Sequence, residues 1–391
     1  MTPLNVSAYT ATNAAGEGKA ALLQALEERR SGLRPFSDPG GLSACAGEIA
    51  GLDTPIATDP VNFDCRNHRL AERALDQDGF RGAVTDAIGR YGAGRIAVLA
   101  ATSTSGIRET EDAYRHRAAD GSLPAAFRFD TMHNMQALGA FVRLSLGLRG
   151  PCYTLSTACS SSAKAFASGA RLIAAGIVDA AVVCGVDTLC RNTLYGFNSL
   201  ELVSASPCRP CDRDRDGISI GEGAGFALLE RGEPASGIRL IGYGESSDAF
   251  HMSSPHPEGR GAIGAMKAAL KRAELDAPSV DYINLHGTAS VVNDKIEDMA
   301  VMTVFGGSVP CSSTKGWTGH TLGAAGVTEA VIACLSLENG LIPGCLNTTA
   351  VDPAFKSRVV LENERRPVRR VMSNSLGFGG NNCSLIFGCP S

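Results

Sequence analysis

Aromatic side chains are scarce in this chain of 391 residues: they make up 6%, with a single Trp. That scarcity excludes a binding surface built mainly from stacked rings. An excess of one charge is missing too. The formal net charge is −4, which gives no general pull toward nucleic acid or a membrane surface. There is no long hydrophobic run. The longest apolar stretch, "LIAAGIVDAAVVCGV", is broken by Asp179 and is too short to cross a bilayer. The opening "MTPLNVSAYTATNAAGEGKAALLQAL" lacks a charged segment followed by an apolar one, so a cytoplasmic location is expected. G-x-x-x-x-G-K-[ST] does not occur, so the phosphate loop is absent.

Glycine and cysteine are plentiful instead, at 45 and 13 residues, in a chain that is 44% apolar and 19% charged. This balance fits a globular protein with a large core. An odd number of cysteines in a long chain is not a disulfide framework, and reduced, mostly buried thiols are expected. Short β-branched runs at 95–102, 179–188 and 281–288 read as buried strands. Alanine-rich stretches at 18–32, 160–176, 261–275 and 324–340 read as helices. The alternation predicts an α/β layered fold. A Gly/Pro/Ser cluster over 228–240 suggests a boundary, giving halves 1–235 and 236–391. Each half has a sharp turn leading into a helix of small residues, "STACSSSAKAF" and "GHTLGAAGVTEA", a weak sign of internal duplication. Gly169 lies within the first of these helices, where it costs about 1 kcal/mol against Ala. A close neighbour that offsets the cost is expected.

Cys159 stands at the start of that helix. There a sulfur feels the unpaired N–H groups of the first turn, which lower a thiol pKa and can hold an oxyanion. A small core thiol is the competing reading. His286 in "NLHGTAS" and His320 in "TKGWTGHTLGAAG" are each beside turn signals, and either suits the base or donor that a catalytic cysteine needs. The other reading is a satisfied structural histidine. Lys315 and Glu329 bracket His320 in a segment poor in charge, which favours a buried pair over two solvated charges. "SNSLGFGGNN" (373–382) is a glycine-rich turn holding Phe378. Two matches fail. "DRDRDG" (212–217) begins like a calcium loop, but Gly223 stands at its twelfth position. "CRPC" (208–211) has no second pair to complete a zinc site.

Five ordered blocks, "TACSSS", "RPCDRDRDGISIGEGAG", "HGTASVVND", "STKGWTGHTLGAAG" and "SNSLGFGGNN", resemble the β-ketoacyl-acyl-carrier-protein synthases, the elongating ketosynthases of the thiolase superfamily. The resemblance covers nearly the whole chain from about residue 10. It implies a thiolase-like five-layered αβαβα fold of two similar halves. It implies decarboxylative Claisen condensation of an acyl group on Cys159 with malonyl-carrier protein, in fatty acid, aryl polyene or polyketide synthesis. Cys159, His286 and His320 would form the catalytic set, with Lys315 organising it through Glu329. The amides of Cys159 and Phe378 would form the oxyanion hole, with Phe378 gating acyl entry. Thr288 and Ser290 would contact the phosphopantetheine arm, and Arg66, Arg69 and Arg209 the acyl carrier protein. No cofactor or metal is implied, and neither is nucleic acid or membrane insertion. A homodimer is expected, with a heterodimer the alternative.

The chain departs from the family pattern at Leu376, usually aromatic, and at Asn381, commonly threonine. It also lacks a proline after Thr288 and Ser290, and its first strand is not glycine-rich. These changes concern the gate, the acyl pocket and hence the substrate, and they lean toward a specialised pathway. Two alternatives remain at this stage: a thiolase-like acyltransferase using coenzyme A, and a non-catalytic chain-length subunit. Thiolases resemble a Cys-His-Cys pattern, and non-catalytic subunits typically lack the nucleophile.

Overall fold

The structure, a computed structural model, describes residues 1–38, 40–57, 59–232 and 237–389. Eleven strands, numbered here in chain order, form two leaves. The first contains β1 (Leu4–Asn13), β2 (Ile96–Ala101), β3 (Cys152–Leu155), β4 (Ala180–Asp187) and β5 (Gly223–Glu230), in spatial order β1-β5-β4-β2-β3. The second contains β6 (Arg239–Ser247), β7 (Tyr282–Asn284), β8 (Pro310–Ser312), β9 (Arg358–Val359), β10 (Arg370–Gly377) and β11 (Asn381–Gly388), in order β6-β11-β10-β7-β8-β9. In both leaves the first strand pairs antiparallel with the last strand in sequence, which pairs antiparallel with the next. The remaining contacts are parallel. The two leaves meet where Leu4 and Asn5 pair with Leu240 and Arg239. The internal duplication is therefore present in the strand order itself. The expected boundary at 235/236 lies outside the described residues.

The helices used below are α1 (Gly18–Glu27), α2 (Arg66–Leu75), α3 (Phe80–Tyr91), α4 (Gln136–Ser145), α5 (Ser161–Ala174), α6 (Arg191–Ser199), α7 (Arg260–Ala273), α8 (Val291–Phe305) and α9 (Ala325–Asn339). α5 and α9 touch strands of both leaves and each other, so they form a central layer. α2, α3 and α4 cover the outer face of the first leaf, and α7 covers that of the second with α8 beside it. This is the five-layered αβαβα arrangement.

Strand periodicity explains why five layers form. Successive residues of a strand face opposite sides. Ala97, Leu99, Ala181, Val183, Ala227 and Leu229 pack into the central core, while their neighbours Ile96, Val98, Ala180, Val182, Phe226 and Leu228 pack into an outer one. In the second leaf Tyr282 and Val371 face inward, and Ile283 and Met372 face outward. Both faces of the strands are buried, so they read as continuous apolar runs rather than as alternating ones. α9 is buried along nearly its whole length, as a helix between two sheets must be.

Close backbone approach explains the glycines of the central layer. A Cβ on Gly326 would lie 2.6 Å from the Ala163 amide nitrogen, at the crossing of α9 and α5. One on Gly169 would lie 3.2 Å from the Ala181 Cβ, the close neighbour expected for that residue. Two expected elements are shorter than their apolar pattern. α1 stops at Glu27, followed by Arg29 in the left-handed region. β7 ends at Asn284 because the amides of His286 and Gly287 turn to the Glu297 carboxylate instead of continuing a ladder.

Candidate active site

The serines around Cys159 build the turn that presents it. Ala158 has φ 53°, a left-handed conformation that only a tightly held non-glycine residue adopts. Ser161 Oγ accepts from the Thr157 amide at 2.8 Å, and Ser160 Oγ donates to the Thr157 carbonyl at 3.0 Å. Ser162 Oγ accepts from the Val327 amide at 2.9 Å, tying α5 to α9. The second half repeats the device, with Leu322 at φ 53° before α9. His320 is fixed by its own backbone: its amide donates to the Ser219 carbonyl at 2.7 Å, and its carbonyl accepts from Gly221 at 3.0 Å.

These turns bring Cys159 Sγ to 3.0 Å from His320 Nε2. The His286 ring stands edge-on to His320, with centroids 5.2 Å apart. The sulfur and one nitrogen of each histidine lie within 4.8 Å of one another. Behind them Lys315 Nζ donates to the His286 carbonyl and pairs with Glu329, and it lies 3.5 Å from His286 Nδ1. Lys315 and Glu329 are 1% and 3% exposed, so this is the buried pair expected from the poverty of charge around them. The Phe378 backbone amide lies on the Cys159 sulfur's side of the turn and lowers the thiol's pKa.

Burial dominates the electrostatics. It pushes the Cys159 thiol up to about 11, against the pull of Lys315 and the Phe378 amide. It holds both histidines well below the ordinary imidazole range, with the Lys315 charge adding to the effect. Glu329 is pushed up to about 7 by burial, which outweighs its pairing with Lys315. Near neutral pH the site therefore holds a thiol and two uncharged imidazoles. The ammonium near His286 Nδ1 favours the tautomer whose proton sits on Nε2.

Two cavities share this centre. One, of about 190 Å³, is lined by Cys159, His286 and His320, with Thr288, Ser290 and Leu376 toward its mouth. The other, of about 460 Å³, extends from Cys159 along α6. Cys159, Phe197, Leu200 and Phe378 line both. Phe378 packs against Phe197 at 5.5 Å between centroids, in a turn where Gly379 and Gly380 have φ 74° and 70°. Thr288 and Ser290 hydroxyls lie 3.1 Å apart at the mouth. Asn381 accepts from Lys164 Nζ at 3.3 Å.

The three arginines fare differently. Arg66, expected to contact the carrier, is 4% exposed, and its guanidinium is closed on Glu222 by two bonds of 2.7 Å. Glu222 is fully buried and also accepts from the Ile49 and Leu189 amides, so it needs a buried cation. Arg69 is engaged bidentately by Asp64 at 2.7 and 2.6 Å. Arg209 is the most open of the three, with 30% of its side chain exposed, and it faces Asp216 at 3.6 Å. Of the rejected motifs, the Asp212 carboxylate accepts from the Thr349 and Ala350 amides, and Cys208 and Cys211 are free buried thiols.

Two acids in the support of the site escaped the sequence reading. Glu297 accepts from the amides of His286 and Gly287, each at 2.8 Å, and burial pushes it up to about 7. Asp187 accepts from the Ser103, Thr104 and Ala324 amides and from two threonine hydroxyls, and burial pushes it up to about 6. The available signal was an acid at the end of an apolar run, as in "VVCGVD".

Comparisons with known proteins agree with this geometry. The family model for the N-terminal domain of β-ketoacyl synthase matches residues 1–235, and that for the C-terminal domain matches 238–349. The 3-oxoacyl-[acyl-carrier-protein] synthase 2 of Rhizobium meliloti (strain 1021) is 40% identical over 259 residues, 61% of this chain and 61% of that protein. The mitochondrial 3-oxoacyl-[acyl-carrier-protein] synthase of Arabidopsis thaliana is 38% identical over 267 residues, 63% of this chain and 58% of that one. The matched segment thus spans about three fifths of these two relatives. The Staphylococcus aureus 3-oxoacyl-[acyl-carrier-protein] synthase 2 is 31% identical over 377 residues, 87% of this chain and 94% of that protein. Among solved structures, a ketosynthase in complex with its chain length factor from Xenorhabdus doucetiae superposes with a TM-score of 0.92 at 40% identity, covering 100% of this chain and 98% of that one. The ishigamide ketosynthase/chain length factor gives 0.90 at 28%, covering 100% of both chains.

Proposed function

Because the chain belongs to the β-ketoacyl synthase family, we propose that it joins an acyl group held on Cys159 to malonyl-acyl carrier protein, giving β-ketoacyl-acyl carrier protein. One observation carries this reading: the Cys159–His320 contact, with His286, Lys315 and Glu329 ranked behind it, lies where two cavities meet. In acylation, Cys159 Sγ attacks the carrier thioester and His320 Nε2 takes the thiol proton. The oxyanion is held by the Cys159 and Phe378 amides, and the carrier thiolate leaves with the proton. Malonyl-carrier protein then enters the mouth past Thr288 and Ser290 and loses carbon dioxide. The enolate oxygen is held by the Nε2–H of His286. Its carbon attacks the acyl thioester, the carbon–sulfur bond breaks, and Cys159 leaves as a thiolate that takes up one proton from solvent, the proton the net condensation consumes. Loss of carbon dioxide makes the nucleophile in place, inside a site shielded from water. The reaction needs no cofactor beyond the phosphopantetheine arms that carry both substrates.

Lys315 acts by holding His286 and Glu329 in place. We assign carrier contact to Arg69 and Arg209 and to the mouth, with Arg66 holding Glu222. As partner we propose a second chain of the same fold. The similar ketosynthases solved with a chain length factor favour that subunit over an identical copy. The same two neighbours favour a specialised pathway over primary fatty acid synthesis.

The test is incubation with acyl-carrier protein, peptide mass spectrometry of any thioester, then addition of malonyl-carrier protein. Acylation at Cys159 followed by ketoacyl product supports the reading, and Cys159→Ala must abolish both. Product from acetyl-coenzyme A without carrier would favour a thiolase-like acyltransferase. No acylation and no product would favour a non-catalytic subunit.

A further inference from the structure

The Phe378 turn is the loop of a hairpin. Gly377 and Asn381 face each other as the closing pair of β10 and β11, and Phe378, Gly379 and Gly380 lie between them. One corner of the base is pressed on the nucleophile turn. A Cβ on Gly377 would lie 3.0 Å from the Thr157 carbonyl oxygen and 3.2 Å from the Ser160 amide nitrogen. The outer side of the loop is tied to the 248–252 segment: the Gly379 amide donates to the Met252 carbonyl at 2.7 Å, and the Gly380 carbonyl accepts from the Asp248 amide at 2.9 Å. That segment is neither helix nor strand, and Met252 is 78% exposed.

The other corner of the base is held by a charge. Successive residues of a strand face opposite sides, so Asn381 shares the inward face of β11 with Cys383, Leu385 and Phe387, which pack into the central core. There Asn381 Oδ1 accepts from Lys164 Nζ at 3.3 Å. Lys164 lies on α5, five residues after Cys159, between the buried Ala163 and Ala165. It is half-buried, and Asn381 Oδ1 is the one hydrogen-bond partner of its ammonium among the described residues. A cation beside a core is costly to place, and one neutral partner offsets little of that cost. An apolar residue would serve the packing of α5 as well.

An ammonium can only donate. Lys164 therefore fixes the Asn381 carboxamide with its oxygen toward α5 and its Nδ2 toward the loop, 3.4 Å from where a Cβ of Gly379 would stand. Gly379 and Gly380 are both at positive φ, so the loop is free to swing once its base is loose. The geometry points to Lys164 as a positioning residue: through Asn381 it holds the base of the Phe378 turn, so that the Phe378 amide meets the oxyanion formed at Cys159. This rests on the ketosynthase reading, with Cys159 as the acylated residue. Lys164 itself lines neither cavity.

Two reactions of the same sulfur separate this role from a structural one. Acylation by hexanoyl-N-acetylcysteamine passes through an oxyanion, and alkylation by iodoacetamide does not. Both rates are read by intact-protein mass spectrometry at one pH, using the protein with its partner chain. Lys164→Met keeps the stem and removes the charge. It is expected to slow acylation about five- to tenfold, the loss of a charged hydrogen-bond donor in a half-exposed setting, with alkylation unchanged. Lys164→Arg should restore most of the acylation rate. Asn381→Ala should match Lys164→Met, and the double variant should be no slower than either single one, since each removes the same contact. Equal loss of both rates in Lys164→Met would mean that Lys164 only supports α5, and would overturn the inference. So would unchanged acylation, or losses that multiply in the double variant. Should Lys164→Met fail to fold, Asn381→Ala carries the same comparison. Each of these results leaves the ketosynthase reading standing, because the wild type is still acylated. A wild type left unacylated by both hexanoyl-N-acetylcysteamine and hexanoyl-carrier protein would remove that reading and this one together.

Discussion

Cys159 is the residue proposed to carry the acyl group, and its environment is unusual for a reactive thiol. The start of α5, the Phe378 amide and Lys315 all favour the thiolate, yet burial outweighs them and the pKa rises to about 11. Proton removal by His320 at 3.0 Å is then part of the attack rather than a prior step. The alkylation rate with iodoacetamide should climb about tenfold per unit between pH 7 and 9, following the thiolate fraction. A plateau by pH 8 would show a resting thiolate–imidazolium pair instead. His320 also ties stability to pH. Burial, then Lys315, holds it well below its ordinary value of 6.5. The unfolded chain therefore binds a proton that the folded one refuses. Its contribution is fully present above that unfolded value and is lost as pH falls below it toward the folded one. In thermal melts, the gap between wild type and His320→Asn should shrink from pH 7 to pH 5. A constant gap would mean that the imidazole titrates in the folded chain as it does in the unfolded one. Arg66 is a third test at this scale. If it serves Glu222, Arg66→Gln costs about 3–5 kcal/mol of stability, because it strands a buried carboxylate. A stable variant with weakened carrier-protein binding alone would restore the surface role.

At the scale of elements, glycine has two meanings in this fold, and substitution separates them. Gly326→Ala pushes a Cβ to 2.6 Å from backbone where α5 and α9 cross. The helices that carry Cys159 and follow His320 must then part, at about 1–3 kcal/mol. The alkylation rate of Cys159 should fall with the denaturant midpoint. Gly89 in α3 has nothing within 4 Å of an added Cβ and no unusual φ. Gly89→Ala should stabilise by about 0.5–1 kcal/mol through helix propensity and the unfolded chain. If both variants shifted the midpoint in the same direction, close packing would not be what distinguishes them. The sequence made the elements legible for the same physical reason. The apolar runs of β2 and β4 and the small-residue faces of α5 and α9 are what strands and helices buried on all sides require. Cys159, both histidines and the Lys315–Glu329 pair were legible as a set because charge and histidine are so rare in their segments. Glu297, Asp187 and the burial of Arg66 were not. Each depends on partners 10 to 156 residues away in sequence, which no local pattern encodes.

At the scale of the molecule, the two halves share strand order but not edges. The second leaf ends at β9, two residues long and containing Arg358, a short charged edge that resists pairing. The first leaf ends at β3, "CYTL", with no charge or proline. The Gln136 side chain caps this edge, accepting from the Thr154 amide at 3.1 Å and lying 3.4 Å from the Cys152 carbonyl. Open-ended ladder growth is thereby blocked, while apolar side chains remain on the surface. Tyr153 is 55% exposed, Leu144 on the adjoining α4 is 53%, and Phe129 in the turn before it is 55%. The larger cavity reaches the same half of the molecule through Ser156 beyond β3 and Asn192 and Gly196 on α6, all exposed in the single chain. Placing the proposed partner chain on this edge accounts for both observations: it buries the apolar side chains and closes the acyl pocket. Tyr153→Glu puts a charge at the centre of that contact, where an unpaired carboxylate is costly. The variant should run as a single chain by light scattering, with its folded state intact by thermal melt, because Tyr153 supports no core within its own chain. Ketoacyl product should fall in parallel, since a pocket open to water no longer shelters the acyl thioester. A particle of unchanged mass would place the partner on another face.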